Sequence, residues 1–181
     1  MRALIVLATL MVTSSALAHG PTAGQAQVQL TGTSARVVLT PSARAFMAYD
    51  TSGDGRLDSI EIATHRSAIV EAIGGVLTLD DQGGQAGERT FIDVLVGRDH
   101  HTGESGTFLK IMASYSWPEA PSSLTLQYDL LMEGDEGLEL TAIKAKASGN
   151  GQVRLDASAD YTQGTLVHGF ETVALFAHHA D

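Results

Sequence analysis

Apolar and polar residues alternate along most of this chain, and one stretch interrupts the alternation with a longer period. Ala26, Val28 and Leu30 alternate with Gln27, Gln29 and Thr31, the period-two pattern of a half-buried strand. Gly32-Thr33 predicts a turn, and residues 35–40 predict a second strand. From Pro41 the pattern turns helical. Pro41 suits a first helical turn, and residues 42–49 predict an entering helix. Residues 59–73 predict a second helix, with Ile60, Thr64, Ile69, Val70 and Ile73 on its apolar side and Gly74-Gly75 as its stop.

After Gly75 the strand period returns. Residues 76–79 and 90–96 are short and β-rich, separated by a Gly-rich loop. Leu109, Ile111, Ala113, Tyr115 and Trp117 alternate until Pro118 and Pro121 interrupt them. Leu124, Leu126, Tyr128, Leu130 and Met132 form a further alternating set. Residues 138–147 predict another strand, Asn150-Gly151 a tight hairpin, and Val153, Leu155, Ala157 and Ala159 the return strand. Residues 166–177 fit a strand or a short helix. Short strands with frequent turn signals predict an α+β protein: a mainly antiparallel β-sandwich with one inserted helix-loop-helix at 41–73. The expected organisation is a removed leader, 1–18, followed by one domain over 19–181.

The leader reading comes from the first residues. Met1-Arg2 is a positive start, an apolar run follows, and Ala16-Leu17-Ala18 is a small-residue cleavage signal. The apolar run is shorter than the roughly 20 residues a membrane-spanning helix needs, and no later stretch approaches that length. The expectation is export to the periplasm or the exterior, as a mature form that does not span a membrane. The chain has no cysteine, so no disulfide framework is expected. Its formal charge of −10 argues against nucleic acid and anionic lipid as partners.

The chemistry sits between the two predicted helices. Over 50–61, side chains bearing oxygen fall at loop positions 1, 3, 5, 9 and 12, as Asp50, Ser52, Asp54, Asp58 and Glu61. Position 7 is Arg56, where only the backbone carbonyl is required. Position 6 is Gly55, where the chain turns sharply, and position 8 is the apolar Leu57. Calcium, a hard cation taking six to eight oxygens, is the expected ligand. Such loops normally pair through position 8. Neither 80–84 nor 134–137 has the spacing of a second loop, so Leu57 pairs with the β-domain, with a second copy of the protein or with nothing, and packing on the β-domain is the expectation.

The 41–73 segment, with Phe46 four residues before Asp50, resembles a calmodulin-type EF-hand. That resemblance implies calcium bound by Asp50, Ser52, Asp54, Arg56 through its carbonyl, Asp58 and Glu61. A wider resemblance covers most of the mature chain. The Ala-Leu-Ala-His leader end, the 49–57 segment, Ser116-Trp117-Pro118 and the 124–129 run are similar to the exported soluble region of HupE/UreJ-like bacterial proteins. In that family a membrane part linked to nickel or related metal transport follows. This sequence reaches Asp181 without one, so the resemblance implies a soluble accessory role and not transport.

Histidines form a second candidate. His19 would be the mature N-terminus, where amine and imidazole together could chelate copper or nickel, with His100, His101, His178 and His179 as further ligands. This makes a periplasmic copper- or nickel-handling accessory protein the alternative function. Adjacent histidines on a strand point to opposite sides, which weighs against a shared site. An enzyme is not expected. The chain has no thiol nucleophile, no Gly-x-Ser-x-Gly, no His-Glu-x-x-His and no phosphate loop with Lys. Tyr115, Trp117 and Tyr128 fall on predicted core positions and read as packing.

Overall fold

In a computed structural model of the chain, the described residues form ten strands and two helical segments, which build two sheets around a shared apolar core. The structure describes residues 23–98, 103–132, 135, 137–147, 153–155, 161–166 and 172–176. The leader at 1–18 lies outside them.

Strand β1 (Gln25–Thr31) pairs antiparallel with β2 (Ser34–Leu39) across the Gly32-Thr33 turn. Ala26, Val28 and Leu30 are buried, as are Ala35, Val37 and Leu39, so the alternation reads true on both strands. Two helical segments come next, a 3₁₀ helix at Ala43–Tyr49 and helix α1 at Ser59–Val76. Strand β3 (Leu77–Asp81) follows α1 with no intervening loop. Strands β4 (Glu88–Arg98), β5 (Ser105–Ser116), β6 (Leu124–Tyr128), β7 (Leu138–Ala147), β8 (Val153–Leu155), β9 (Tyr161–Leu166) and β10 (Thr172–Leu175) complete the order.

The larger sheet runs β4-β5-β2-β1-β7-β8, and β9 also pairs with β7. Strand β7 is long enough to hold both partners on one edge: Leu138 to Ile143 face β9, and Ala145 to Ala147 face β8. The β1–β7 pair is parallel, a departure from the antiparallel expectation at one pairing. A three-stranded sheet, β10-β6-β3, is antiparallel. The 166–177 question resolves as strand at Thr172–Leu175. Apolar residues of both sheets and of α1 fall in one buried cluster. The Tyr115 hydroxyl, on β5 of the large sheet, donates to the Leu77 carbonyl of β3 at 2.9 Å and ties the sheets together.

The expected entering helix is present, as a 3₁₀ helix. It is only seven residues long, and the Asp50 amide closes it with a short-range bond to the Met47 carbonyl at 3.1 Å. Four local expectations need correction. Pro41 does not open this helix. Ser42 is the cap, accepting from the Arg44 amide, and the Pro41 carbonyl is instead taken by the Leu109 amide. Helix α1 runs through Gly74-Gly75 to Val76. Gly74 serves a close approach and not a stop: Arg89 Nη1 donates to its carbonyl at 2.6 Å, and a Cβ there would lie 2.7 Å from Arg89 Nη2.

The third correction concerns the buried side of α1. At 3.6 residues per turn, Ile62, Ile69 and Ile73 share one side, while Ile60 and Thr64 lie opposite. The first three are buried, and Ile60 is 73% exposed. The fourth lies past Tyr128, where alternation fails. Met132 is exposed and Leu131 takes the buried place, because the Met132 amide and carbonyl both bond to Asp135 in a turn.

Candidate functional site

Residues 50–58 connect the 3₁₀ helix to α1, whose first turn carries Glu61, and each end is fixed by the sequence. At the entry, Phe46 and Ala43 are buried and anchor the short helix. Arg44 pairs with Asp135 at 3.1 Å and holds it against the turn before β7. At the exit, Asp58 is the N-cap of α1. Its Oδ1 accepts from the Ile60 and Glu61 amides at 2.7 and 2.8 Å, and Glu61 Oε2 accepts from the Asp58 amide at 3.0 Å. This is a capping box, which satisfies amides the first turn would leave open.

Glu61 also closes the loop on itself. Its Oε1 accepts from the Thr51 amide at 2.8 Å, the Thr51 hydroxyl at 3.1 Å and the Ser52 amide at 2.8 Å. The last loop position is thereby drawn against the second and third. Asp50 organises the first half. Its Oδ1 accepts from Gly53 N at 2.7 Å and Ser52 Oγ at 3.1 Å, and its Oδ2 from Gly55 N at 2.8 Å. Gly53 and Gly55 have φ of +71° and +78°, backbone that glycine adopts freely and other residues do not. Asp54 Oδ1 accepts from the Arg56 amide at 2.9 Å.

These bonds set the acidity of both carboxyls. The Asp58 amide, then the Ser52 amide and the Thr51 groups, hold Glu61 below its ordinary range against a smaller opposing effect of burial. For Asp50 burial alone pushes upward. The bonds from Gly55, Gly53, Ser52 and Asp54 together outweigh it and leave the carboxyl below its ordinary value. Both groups are carboxylates at neutral pH.

Leu57 turns inward, away from its exposed neighbours. It is fully buried and belongs to the core cluster, while 51–56 are exposed. Its amide donates to the Gly106 carbonyl at the start of β5, at 3.0 Å. Beside it Arg56 Nη2 meets Glu104 Oε1 at 3.1 Å. The expectation that Leu57 packs on the β-rich part of the chain is met. The residues Glu104 and Gly106 were missed from sequence. A glycine at the head of an alternating strand was the one available signal.

The twelve residues thus hold Asp50, Ser52, Asp54, Asp58 and Glu61 on one short loop. The carboxylates are each engaged with backbone amides, and among the described residues no three His, Asp or Glu side chains converge as an assembled ligand cluster. The donor set nonetheless suits a hard cation. It is all oxygen, and a carboxylate offers about four lone-pair positions, of which Asp50 uses three. Glu61 accepts four bonds, so ligation there exchanges amide bonds for a cation. His19, His100, His101, His178 and His179 all lie outside the described residues. Tyr115, Trp117 and Tyr128 are buried in the core.

Among the described residues no helix is long and apolar enough to cross a membrane. The chain matches no protein-family model, and no curated protein matches it.

Proposed function

We propose that this chain is an exported calcium-binding protein with a single EF-hand set into a β-sandwich, and that the ion acts as a structural clip. Asp50, Ser52, Asp54, the Arg56 carbonyl, Asp58 and Glu61 would hold it. Bound calcium supplies positive charge at the centre of a loop that gathers four carboxylates. The observation that carries the reading is the reach of Glu61 from α1 back to Thr51 and Ser52, which brings the last ligand position against the first ones. Two sheets sharing one apolar cluster support the sandwich, and the placement of both helices between β2 and β3 supports the insertion.

A clip is favoured over a switch because Leu57 is already docked in the core, leaving position 8 unavailable to a second loop. The resemblance to the soluble region of HupE/UreJ-like proteins fits an exported accessory role. Extracellular calcium modules bind at roughly 10⁻⁴–10⁻³ M. A ligand that binds only the native state raises stability by mass action, by about 1.4 kcal/mol at tenfold excess over its dissociation constant. Calorimetric titration of the mature chain tests the reading, together with melts in millimolar calcium and in chelator. The expected result is saturable binding and a higher Tm with calcium, both lost in Glu61→Gln. An unchanged Tm and no heat of binding would sink it.

A further inference from the structure

We infer that the head of strand β5 is the template that orients the backbone ligand of the loop, with Gly106 as its positioning residue. The inference rests on the calcium reading above. Position 7 of the loop contributes a carbonyl and no side-chain oxygen, so its ligand is only as well aimed as the Arg56–Leu57 peptide plane. Nothing in the Arg56 side chain can correct a misaligned carbonyl.

The plane is fixed from outside the loop. A trans peptide is flat, and its C=O and N–H point in opposite directions. The Leu57 N–H donates to the Gly106 carbonyl at 3.0 Å. The Arg56 carbonyl, across the same plane, is therefore directed away from β5. That is the orientation a ligand at position 7 requires, with position 8 held outward. Two further contacts flank the same peptide: Leu57 is buried in the core, and the Arg56 guanidinium pairs with Glu104 just before β5.

Gly106 is suited to this place for two separate reasons. Its φ is +83°, which other residues adopt only with strain. A Cβ built there would also lie 2.7 Å from the Leu57 carbonyl oxygen, 3.1 Å from the Leu57 nitrogen and 3.2 Å from Arg56 Cβ. The nearest of these is backbone, which cannot swing aside as the end of a side chain can. Any side chain at 106 therefore displaces the backbone of residues 56 and 57 relative to β5. In paired loops a second loop supplies this contact. Here a strand does, which accounts for a single loop needing no partner copy.

The test compares calcium affinity, by calorimetry, in the unmodified mature chain, Gly106→Ala and Glu61→Gln. Outer-shell positioning groups typically change metal affinity about 10- to 100-fold. Gly106→Ala is expected to weaken calcium binding by that factor at a temperature where its chelator melt shows it folded. Unchanged affinity in folded Gly106→Ala, with loss in Glu61→Gln, would overturn the template and leave the calcium reading standing. No binding by the unmodified chain would overturn both.

A second measurement decides the matter if Gly106→Ala does not fold. In the unmodified chain, NMR should show the Leu57 amide protected from exchange, in chelator as well as in calcium. The Arg56 carbonyl carbon should shift when calcium is added. A freely exchanging Leu57 amide in chelator, or a calcium titration that moves Glu61 but not the Arg56 carbonyl, would defeat the inference.

Discussion

The Leu57 amide donates to the Gly106 carbonyl at 3.0 Å, and this one bond joins the acidic loop to a β-strand far along the chain. It links three levels of the molecule. Leu57 is a core residue by burial, a loop residue by sequence and a strand partner by hydrogen bonding. The loop is therefore ordered without a bound ion, because its apolar anchor and its backbone register belong to the β-core. An anchored loop loses less conformational entropy on binding than a free one.

Acid should loosen this loop, and Glu61 should account for a measurable part of the effect. Glu61 and Asp50 are both held below their ordinary values of 4.5 and 3.8. A carboxyl that is more acidic in the folded state contributes stability that is complete above its ordinary value. That contribution is lost as pH falls through the lowered, folded value. In chelator, the Tm of the chain should owe no pH dependence to these groups near neutrality and should drop as pH falls below about 4.5. Glu61→Gln should melt lower than the unmodified chain at pH 7, with a shallower acid slope, so that the two curves approach each other in acid. Parallel curves across that range would contradict the assignment.

Leu57→Ala should be costly although the residue sits in a loop of exposed neighbours. Removing a fully buried leucine side chain typically destabilises by about 2–5 kcal/mol, through lost transfer energy and the cavity left behind. Leu57→Met, which conserves volume, should cost less than about 1.5 kcal/mol. Urea denaturation in chelator would read both. A loss under about 1 kcal/mol for the alanine variant would mean that Leu57 is not an anchor.

The contrast between Leu57 and Gly106 shows what the sequence could convey. The loop was legible because side chains bearing oxygen, the turn glycine and the apolar Leu57 fall within twelve consecutive residues, and local spacing is visible in one dimension. The inward faces of β1, β2 and β5 were legible for the same reason, since strand period is local. Gly106 was not, because its role is to let Leu57 approach from a distant part of the chain. Gly74 misled for a related reason. A Gly-Gly pair reads as a helix stop, but here Arg89 from β4 reaches the Gly74 carbonyl and the helix continues. The parallel β1–β7 pair was hidden too, as pairing direction is set by tertiary packing and not by period.

The two helical glycines should separate under substitution. Gly75 lies within α1 with nothing inside 4 Å of a built Cβ and no positive φ. Gly75→Ala should therefore gain helix propensity, stabilising by about 0.5–1 kcal/mol, toward the low end because it sits in the last turn. Gly74→Ala has the same propensity gain, but its Cβ would meet the Arg89 guanidinium at 2.7–3.0 Å. Arg89 must move and give up its 2.6 Å bond to the Gly74 carbonyl, a charge-assisted bond at the surface. The two effects are similar in size, so Gly74→Ala should be near neutral and less stable than Gly75→Ala. Denaturant midpoints of the two variants provide the comparison, and equal gains would remove the proposed role of Arg89.

A matched pair of tyrosines gives the sharpest test of the core. Burial pushes both phenols up, so both are neutral hydroxyls at pH 7. The Tyr115 hydroxyl donates to the Leu77 carbonyl at 2.9 Å and joins the two sheets. The Tyr128 hydroxyl is buried on β6 and has no hydrogen-bond partner among the described residues. A net hydrogen bond contributes about 0.5–1.5 kcal/mol, whereas a buried hydroxyl without a partner carries a desolvation cost of about 1–3 kcal/mol. Tyr115→Phe should therefore destabilise by about 1 kcal/mol, and by more if the Leu77 carbonyl is left unsatisfied. Tyr128→Phe should be neutral or stabilising, offset in part by the small void where the oxygen was. The same chemical change at two aromatic core positions should thus move urea midpoints in opposite directions, or at least by clearly different amounts. Equal losses in the two variants would mean that Tyr128 has a partner in solution, and that the β6 interior is wetter than its apolar surroundings imply.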